Sequence, residues 1–144
     1  MAIYRTFRDG KRSLLAIAAI LLFNATAFAT DLSGDWKRHW ESCTTGHKGP
    51  LKASFCKLDD ATYEVTFKGR FFIVLPFKYS VTLNVVSDDG QTVTLAGESY
   101  LGRRYGTFTY NATATDTEFV ANYTSCKDEG KFILCREVPP CGCP

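Results

Sequence analysis

From Tyr63 to Val85 the odd positions form one apolar series: Tyr63, Val65, Phe67, Gly69, Phe71, Ile73, Leu75, Phe77, Tyr79, Val81, Leu83 and Val85. The even positions between them carry Thr62, Glu64, Thr66, Lys68, Arg70, Lys78, Ser80, Thr82 and Asn84. Alternation with a period of two describes strands with one dry and one wet face. The run is too long for a single strand. Phe72 and Val74 break the polar series just ahead of Pro76, which predicts a bend or loop over 70–76, with Pro76 unable to donate to a ladder.

The same signature recurs on both sides of this run. Trp36 and Trp40, Leu51 with Ala53 and Phe55, Val93 with Leu95, and Phe108 with Tyr110, Ala112 and Ala114 alternate with polar residues, and Phe119, Ala121 and Tyr123 lead into Phe132 and Leu134 with the same spacing. Between them lie Thr44-Thr45-Gly46, Asp59-Asp60, Asp88-Asp89-Gly90, Gly102 and Asp128-Glu129-Gly130, compositions that favour turns through positive φ and side-chain bonds to the local backbone. The pattern predicts an all-β antiparallel meander of about seven or eight strands. Its apolar face must be hidden, by closure into a small up-and-down barrel or, as the alternative, by pairing in a β-sandwich. Gly49, Gly106 and Gly130 each open a strand on the apolar side, a recurring hairpin geometry without a regular repeat. The Thr-, Lys- and Glu-rich outer face excludes a lipid-facing barrel, whose outward residues must be apolar.

The N-terminal 29 residues have a different character. Arg5, Arg8, Lys11 and Arg12 precede an uninterrupted apolar run, Leu14 to Phe23, and Ala27-Phe28-Ala29 supplies the small residues that a signal peptidase reads. This predicts a cleaved secretory signal over 1–29 and a mature chain starting at Thr30, secreted or periplasmic. The apolar run is too short to span a bilayer, which needs about 20 residues, so no membrane span is expected after cleavage. Processing also removes most of the positive charge: 13 Lys and Arg remain against 14 Asp and Glu. Without a basic stripe, a nucleic-acid partner is not expected. Residues 30–137 then form a single domain, followed by a Pro- and Cys-rich tail over 138–144.

All six cysteines, Cys43, Cys56, Cys126, Cys135, Cys141 and Cys143, lie in the exported part. An even number in an oxidising compartment favours disulfides. Cys126 with Cys135 across the turn near Asp128, and Cys43 with Cys56 across Thr44 to Gly49, are the expected pairs. The intervals do not form zinc knuckles, and neither metal nor cofactor is expected.

Trp36, Arg38 and Trp40 share the apolar phase of the first strand, and Arg136 shares it with Phe132 and Leu134 in the last. Gly34-Asp35-Trp36 followed by a last-strand arginine resembles the lipocalin and avidin pattern of up-and-down barrels. That resemblance implies a tryptophan closing one barrel end with an arginine packed over it. A biotin site would need more pocket tryptophans than Trp36 and Trp40. The longer pattern, from Gly34-x-Trp36 through Pro76-Phe77-x-Tyr79 to Gly130-x-Phe132, is similar to small exported bacterial β-proteins and carries no activity with it. The inward aromatic side chains either fill the interior or line a cavity. Four inward hydroxyls, on Tyr63, Tyr79, Tyr110 and Tyr123, each need a partner. With Trp36, Arg38 and Arg136 they are the candidate ligand-binding residues.

Enzymatic chemistry finds no foothold. His39 falls on the wet face and His47 in a turn; neither has a nucleophile motif beside it, and the acidic pairs lie at turns. The chain is therefore expected to be a non-enzymatic binding module whose partner is a small amphipathic ligand or an exported protein. Two alternatives stand beside it. Small bacterial metalloprotease inhibitors are similar disulfide-bearing barrels with an early G-x-W that act through their N-terminal segment, here Thr30-Asp31-Leu32. A structural component of the cell envelope is the other.

Overall fold

The computed structural model describes residues 29–72 and 74–137. Residues 1–28 of the predicted 1–29 leader and the tail over 138–144, with Cys141 and Cys143, lie outside the described residues. The chain forms eight strands: β1 (Gly34–Ser42), β2 (Lys48–Asp59), β3 (Thr62–Phe71), β4 (Leu75–Asp88), β5 (Val93–Tyr100), β6 (Thr107–Ala114), β7 (Glu118–Thr124) and β8 (Glu129–Arg136). Each pairs antiparallel with the next, and β8 returns to β1, so the sheet closes as a barrel and not as a sandwich. The closing seam runs from Trp36 opposite Arg136 to Ser42 opposite Gly130.

The period-two pattern maps directly onto the wall. Val65, Phe67, Leu83, Leu95, Ala121 and Leu134 point inward and are buried, while their neighbours in sequence face water. The predicted break in the long run is tighter than 70–76. Strand pairing continues to Phe71 opposite Leu75, so the connection is confined between these two residues. A connection with an odd number of residues keeps odd positions opposite odd positions, which is why one apolar series serves both strands. Phe72 absorbs part of the turn with φ of +50°, a conformation that bulky residues rarely adopt.

Pro76 lies within β4 opposite Arg70. Pairing of β4 with β5 begins only at Thr82 opposite Glu98, so the start of β4 has a neighbour on one side only, where a missing N–H is tolerated. The β3–β4 hairpin thus stands above the rest of the wall. Of the three glycines expected to open strands, Gly49 and Gly130 do so. Gly106 instead sits in the loop before β6 with φ of +76°, a left-handed conformation that glycine adopts without strain.

The expected disulfides do not form. Among the described residues, Cys43, Cys56, Cys126 and Cys135 are exposed and not bridged to one another. Cys135 lies opposite Glu118, at the far end of the β7–β8 hairpin from the turn that holds Cys126. Six residue steps, about 20 Å along a strand, separate Cys135 from the row beside that turn, whereas a bridge needs Cα atoms within about 7 Å. Cys43 and Cys56 are separated in the same way, because Phe55 pairs with Gly34 at the opposite end of β1 from Ser42.

Candidate functional site

An up-and-down barrel sorts its connections. The N-terminal segment and the β2–β3, β4–β5 and β6–β7 turns gather at one end; the β1–β2, β3–β4, β5–β6 and β7–β8 connections gather at the other. The two ends of this barrel are built differently.

The first end is sealed. Leu32 has no exposed surface, and its carbonyl accepts the Trp36 indole N–H at 3.0 Å. The Tyr63 hydroxyl donates to the Thr30 carbonyl at 3.3 Å and accepts from the Leu32 N–H at 3.4 Å. Arg136 lies over Trp36, its guanidinium carbon 4.5 Å from the ring centroid. Its nitrogens donate to the carbonyls of Ser33, Asp31 and Asp116 at 2.7 to 2.8 Å. Trp36, Tyr63 and Arg136, all expected to bind ligand, therefore close this end and are not among the residues lining the cavity at the other. Thr30-Asp31-Leu32, the arm that the inhibitor likeness would use, is held in this seal.

Arg38 is also placed away from that cavity. It lies in register between Leu51 and Leu134, yet half of its side chain is exposed, and its guanidinium lies 3.9 Å from the Glu118 carboxylate. Burying a guanidinium among leucines without a counter-charge costs far more than leaving it in water. Arg38 accordingly does not join Trp36 and Trp40 in the interior.

The opposite end is open. A cavity of about 610 Å³ descends between the four connections. Trp40, Tyr123 and Phe132 form its inner part, Phe71, Phe77, Tyr79 and Phe108 its walls, and Phe72, Leu75, Tyr100 and Tyr105 its rim. Glycines make room for the rings. A Cβ at Gly49 would come within 2.6 Å of Trp40 Nε1, one at Gly69 within 2.7 Å of the Phe77 ring, and one at Gly130 within 2.5 Å of the Tyr123 hydroxyl. Trp40 is fixed by donating its indole N–H to the Arg70 carbonyl at 3.1 Å. At the rim, the Phe72 ring meets His47 edge-on at 4.5 Å, so the strained turn packs against the β1–β2 connection.

Polar groups in the cavity are few. Asp128 accepts the Tyr123 hydroxyl at 3.0 Å and the Ser42 hydroxyl at 2.6 Å. Burial, reinforced by this carboxylate, pushes the Tyr123 phenol well above its ordinary range. The Tyr110 hydroxyl donates to Tyr79 Oη at 3.0 Å. Tyr110 is fully buried beneath the cavity against Phe67, and burial raises its phenol to about 12. Tyr79 is pushed well above its ordinary value, again chiefly by burial. Among the described residues, no three His, Cys, Asp or Glu side chains gather as a metal site would require.

Tyr79 and Tyr123 thus line one cavity, and Tyr110 lies beneath it bonded to Tyr79 without lining it. From the sequence, Trp40, Phe71, Phe77, Phe108 and Phe132 were inward aromatics that either fill the interior or line a cavity, outside the candidate ligand-binding residues, and Asp128 was a turn residue. Counting inward from the odd-numbered connections would have placed these residues at one end, once barrel closure was assumed.

No family model and no curated protein matches the chain. Among solved structures it is similar to a barrel described as a de novo designed fluorescence-activating β-barrel, with a TM-score of 0.53 and 15% sequence identity over 75% of this chain and 94% of that chain. The two share a fold. At that identity the likeness extends to the barrel architecture alone.

Proposed function

We propose that this protein is an exported, non-enzymatic binding module that takes a small amphipathic ligand into the mouth cavity. The observation that carries this reading is the asymmetry of the ends. A barrel filled only for stability has no reason to seal one end with Trp36, Leu32 and Arg136 while leaving about 610 Å³ open among aromatic side chains at the other. A concave, mostly apolar site with a few convergent polar groups suits a small molecule with an apolar body.

Other observations support the same reading. The arginine over the G-x-W tryptophan is the arrangement that a lipocalin-type likeness implies, and the similar barrel is itself described as fluorescence-activating. Burial of Leu32 and its neighbours speaks against an inhibitor acting through a free N-terminal arm. The secretory pattern of the first 29 residues supports export.

The test is extraction of protein isolated from the exported fraction of its own host, with mass spectrometry of both chain and extract. The expected result is a chain beginning at Thr30 with a stoichiometric apolar molecule released by organic solvent. A chain retaining residues 1–29 contradicts export. A chain that releases nothing and binds no amphipathic probe contradicts the binding role.

A further inference from the structure

The mouth cavity contains a hydrogen-bond donor that the protein does not use. Tyr110 donates to Tyr79 Oη at 3.0 Å, so Tyr79 is the acceptor of that pair, and its own O–H has no acceptor among the described residues. The other inner hydroxyl, on Tyr123, is taken up by Asp128. Around Tyr79 stand Phe67 and Phe77, with ring centroids 5.7 and 6.0 Å away, and neither can accept a conventional hydrogen bond.

We propose that the cavity selects a flat, largely apolar molecule carrying a neutral hydrogen-bond acceptor, a carbonyl- or ether-type oxygen, at the end that enters first, where the Tyr79 O–H meets it. This rests on the reading of the mouth as a binding site. Flatness follows from walls made of rings, which favour stacked and edge-on partners. The neutral acceptor follows from charge. A carboxylate at this depth would lose its water without meeting a cation, and the fixed charge in the inner network is Asp128, of the same sign. The cavity's lysines, Lys78 and Lys127, are exposed, and Lys127 Nζ is already bound to the Arg104 carbonyl. Burial also holds Tyr79 and Tyr110 in their neutral form, so the donor persists across the physiological range.

Three probes of one shape separate the possibilities: acetylnaphthalene, ethylnaphthalene and naphthoate, titrated against tryptophan emission. The ketone is expected to bind about tenfold tighter than the hydrocarbon, the equivalent of one net hydrogen bond, with naphthoate weakest. In Tyr79→Phe the ketone and the hydrocarbon are expected to bind alike. If that variant unfolds because Tyr110 is left unpaired, Tyr79→Phe with Tyr110→Phe removes both hydroxyls and is expected to show the same loss of preference. Equal wild-type affinities, a preference that survives in the variants, or tightest binding of naphthoate would each overturn the proposal while leaving the binding role intact. Failure of all three probes to bind overturns both.

A separate observation at the sealed end carries a second inference. Thr30 is buried, its N–H donates to Asp88 Oδ2 at 3.0 Å, and Ala29 before it is exposed. The cleavage site read from the sequence falls between these two residues. We infer that cleavage there converts the Thr30 amide into an α-ammonium paired with Asp88, so that release of the leader completes the seal. The nitrogen is already in place, and a charge-assisted bond is about twice as strong as the neutral one it replaces.

The test compares a chain beginning at Thr30 with the same chain N-acetylated, which keeps the N–H and removes the charge. The free amine is expected to melt about 4 °C higher, and Asp88→Asn to erase that difference. Equal melting temperatures, or a difference that survives Asp88→Asn, would overturn the inference.

Discussion

Arg136 lies over the indole of Trp36 at 4.5 Å and donates to the carbonyls of Asp31 and Ser33 in the N-terminal segment. One side chain from the last strand thereby locks the entry of the chain onto the first strand, across the seam where the barrel closes. Trp36→Ala is expected to cost about 3–5 kcal/mol as a core deletion. Arg136→Ala should cost about 2–3 kcal/mol through lost charge-assisted bonds to carbonyls. Because the two side chains share a contact, the double variant should fall short of the sum by roughly 1 kcal/mol. Denaturant unfolding of the four proteins checks this, and strict additivity would mean that the two do not meet.

The glycines beneath the mouth aromatics make a second prediction. A Cβ at Gly130 would meet the Glu41 carbonyl and the Tyr123 hydroxyl, so Gly130→Ala must displace either backbone or ring. A loss of about 1–3 kcal/mol is expected from such overpacking, together with weakened probe binding at the mouth. Gly46→Ala, where no atom lies within 4 Å of the added carbon but φ is +73°, should cost about 1 kcal/mol through backbone strain and leave the cavity unchanged.

Alkaline pH should unfold the protein through its buried phenols. Tyr110 ionises near 12 in the folded chain against an ordinary 10.0, raised by burial. Between those values the unfolded chain has released a proton that the folded chain keeps. The stabilisation is therefore complete below pH 10, falls as pH rises, and is lost above about 12, amounting to about 3 kcal/mol for this residue. Tyr79 and Tyr123 act in the same direction. Tyrosinate absorbance and circular dichroism, followed together, should show late ionisation coincident with unfolding. Early ionisation without unfolding would contradict the buried network.

Non-reducing peptide maps should contain neither a Cys126–Cys135 nor a Cys43–Cys56 link. The strand register separates both pairs by the length of a hairpin. Finding either link would require a different register.

Most of the wall was legible because its information is local. Alternation assigned the inner face of β3 and β4 residue by residue, and the turns read from Thr, Asp and Gly composition fell close to where the strands end, the β6–β7 turn alone going unread. The failures arose where a non-local relation decides. Cys126 and Cys135 are nine positions apart in sequence, but pairing is set by the hairpin register, which puts Glu118 opposite Cys135. Arg38 obeys the alternation in phase, yet the cost of desolvating its charge overrides the pattern. Tyr63 and Tyr79 look alike along the chain; closure assigns one to the seal and the other to the cavity, and the hairpin pairing that sets their heights gives no hint of which end stays open.

Each of the two tryptophans reports one end of the barrel. Trp36 donates its indole N–H to Leu32 under the seal, and Trp40 donates to Arg70 beside the cavity. In a proton–nitrogen correlation spectrum, with the two indole signals assigned from Trp36→Phe and Trp40→Phe, titration with acetylnaphthalene should move the Trp40 signal saturably and leave the Trp36 signal in place. Movement of Trp36 with Trp40 unchanged, or saturable binding that moves neither, would contradict a barrel sealed at one end and binding at the other.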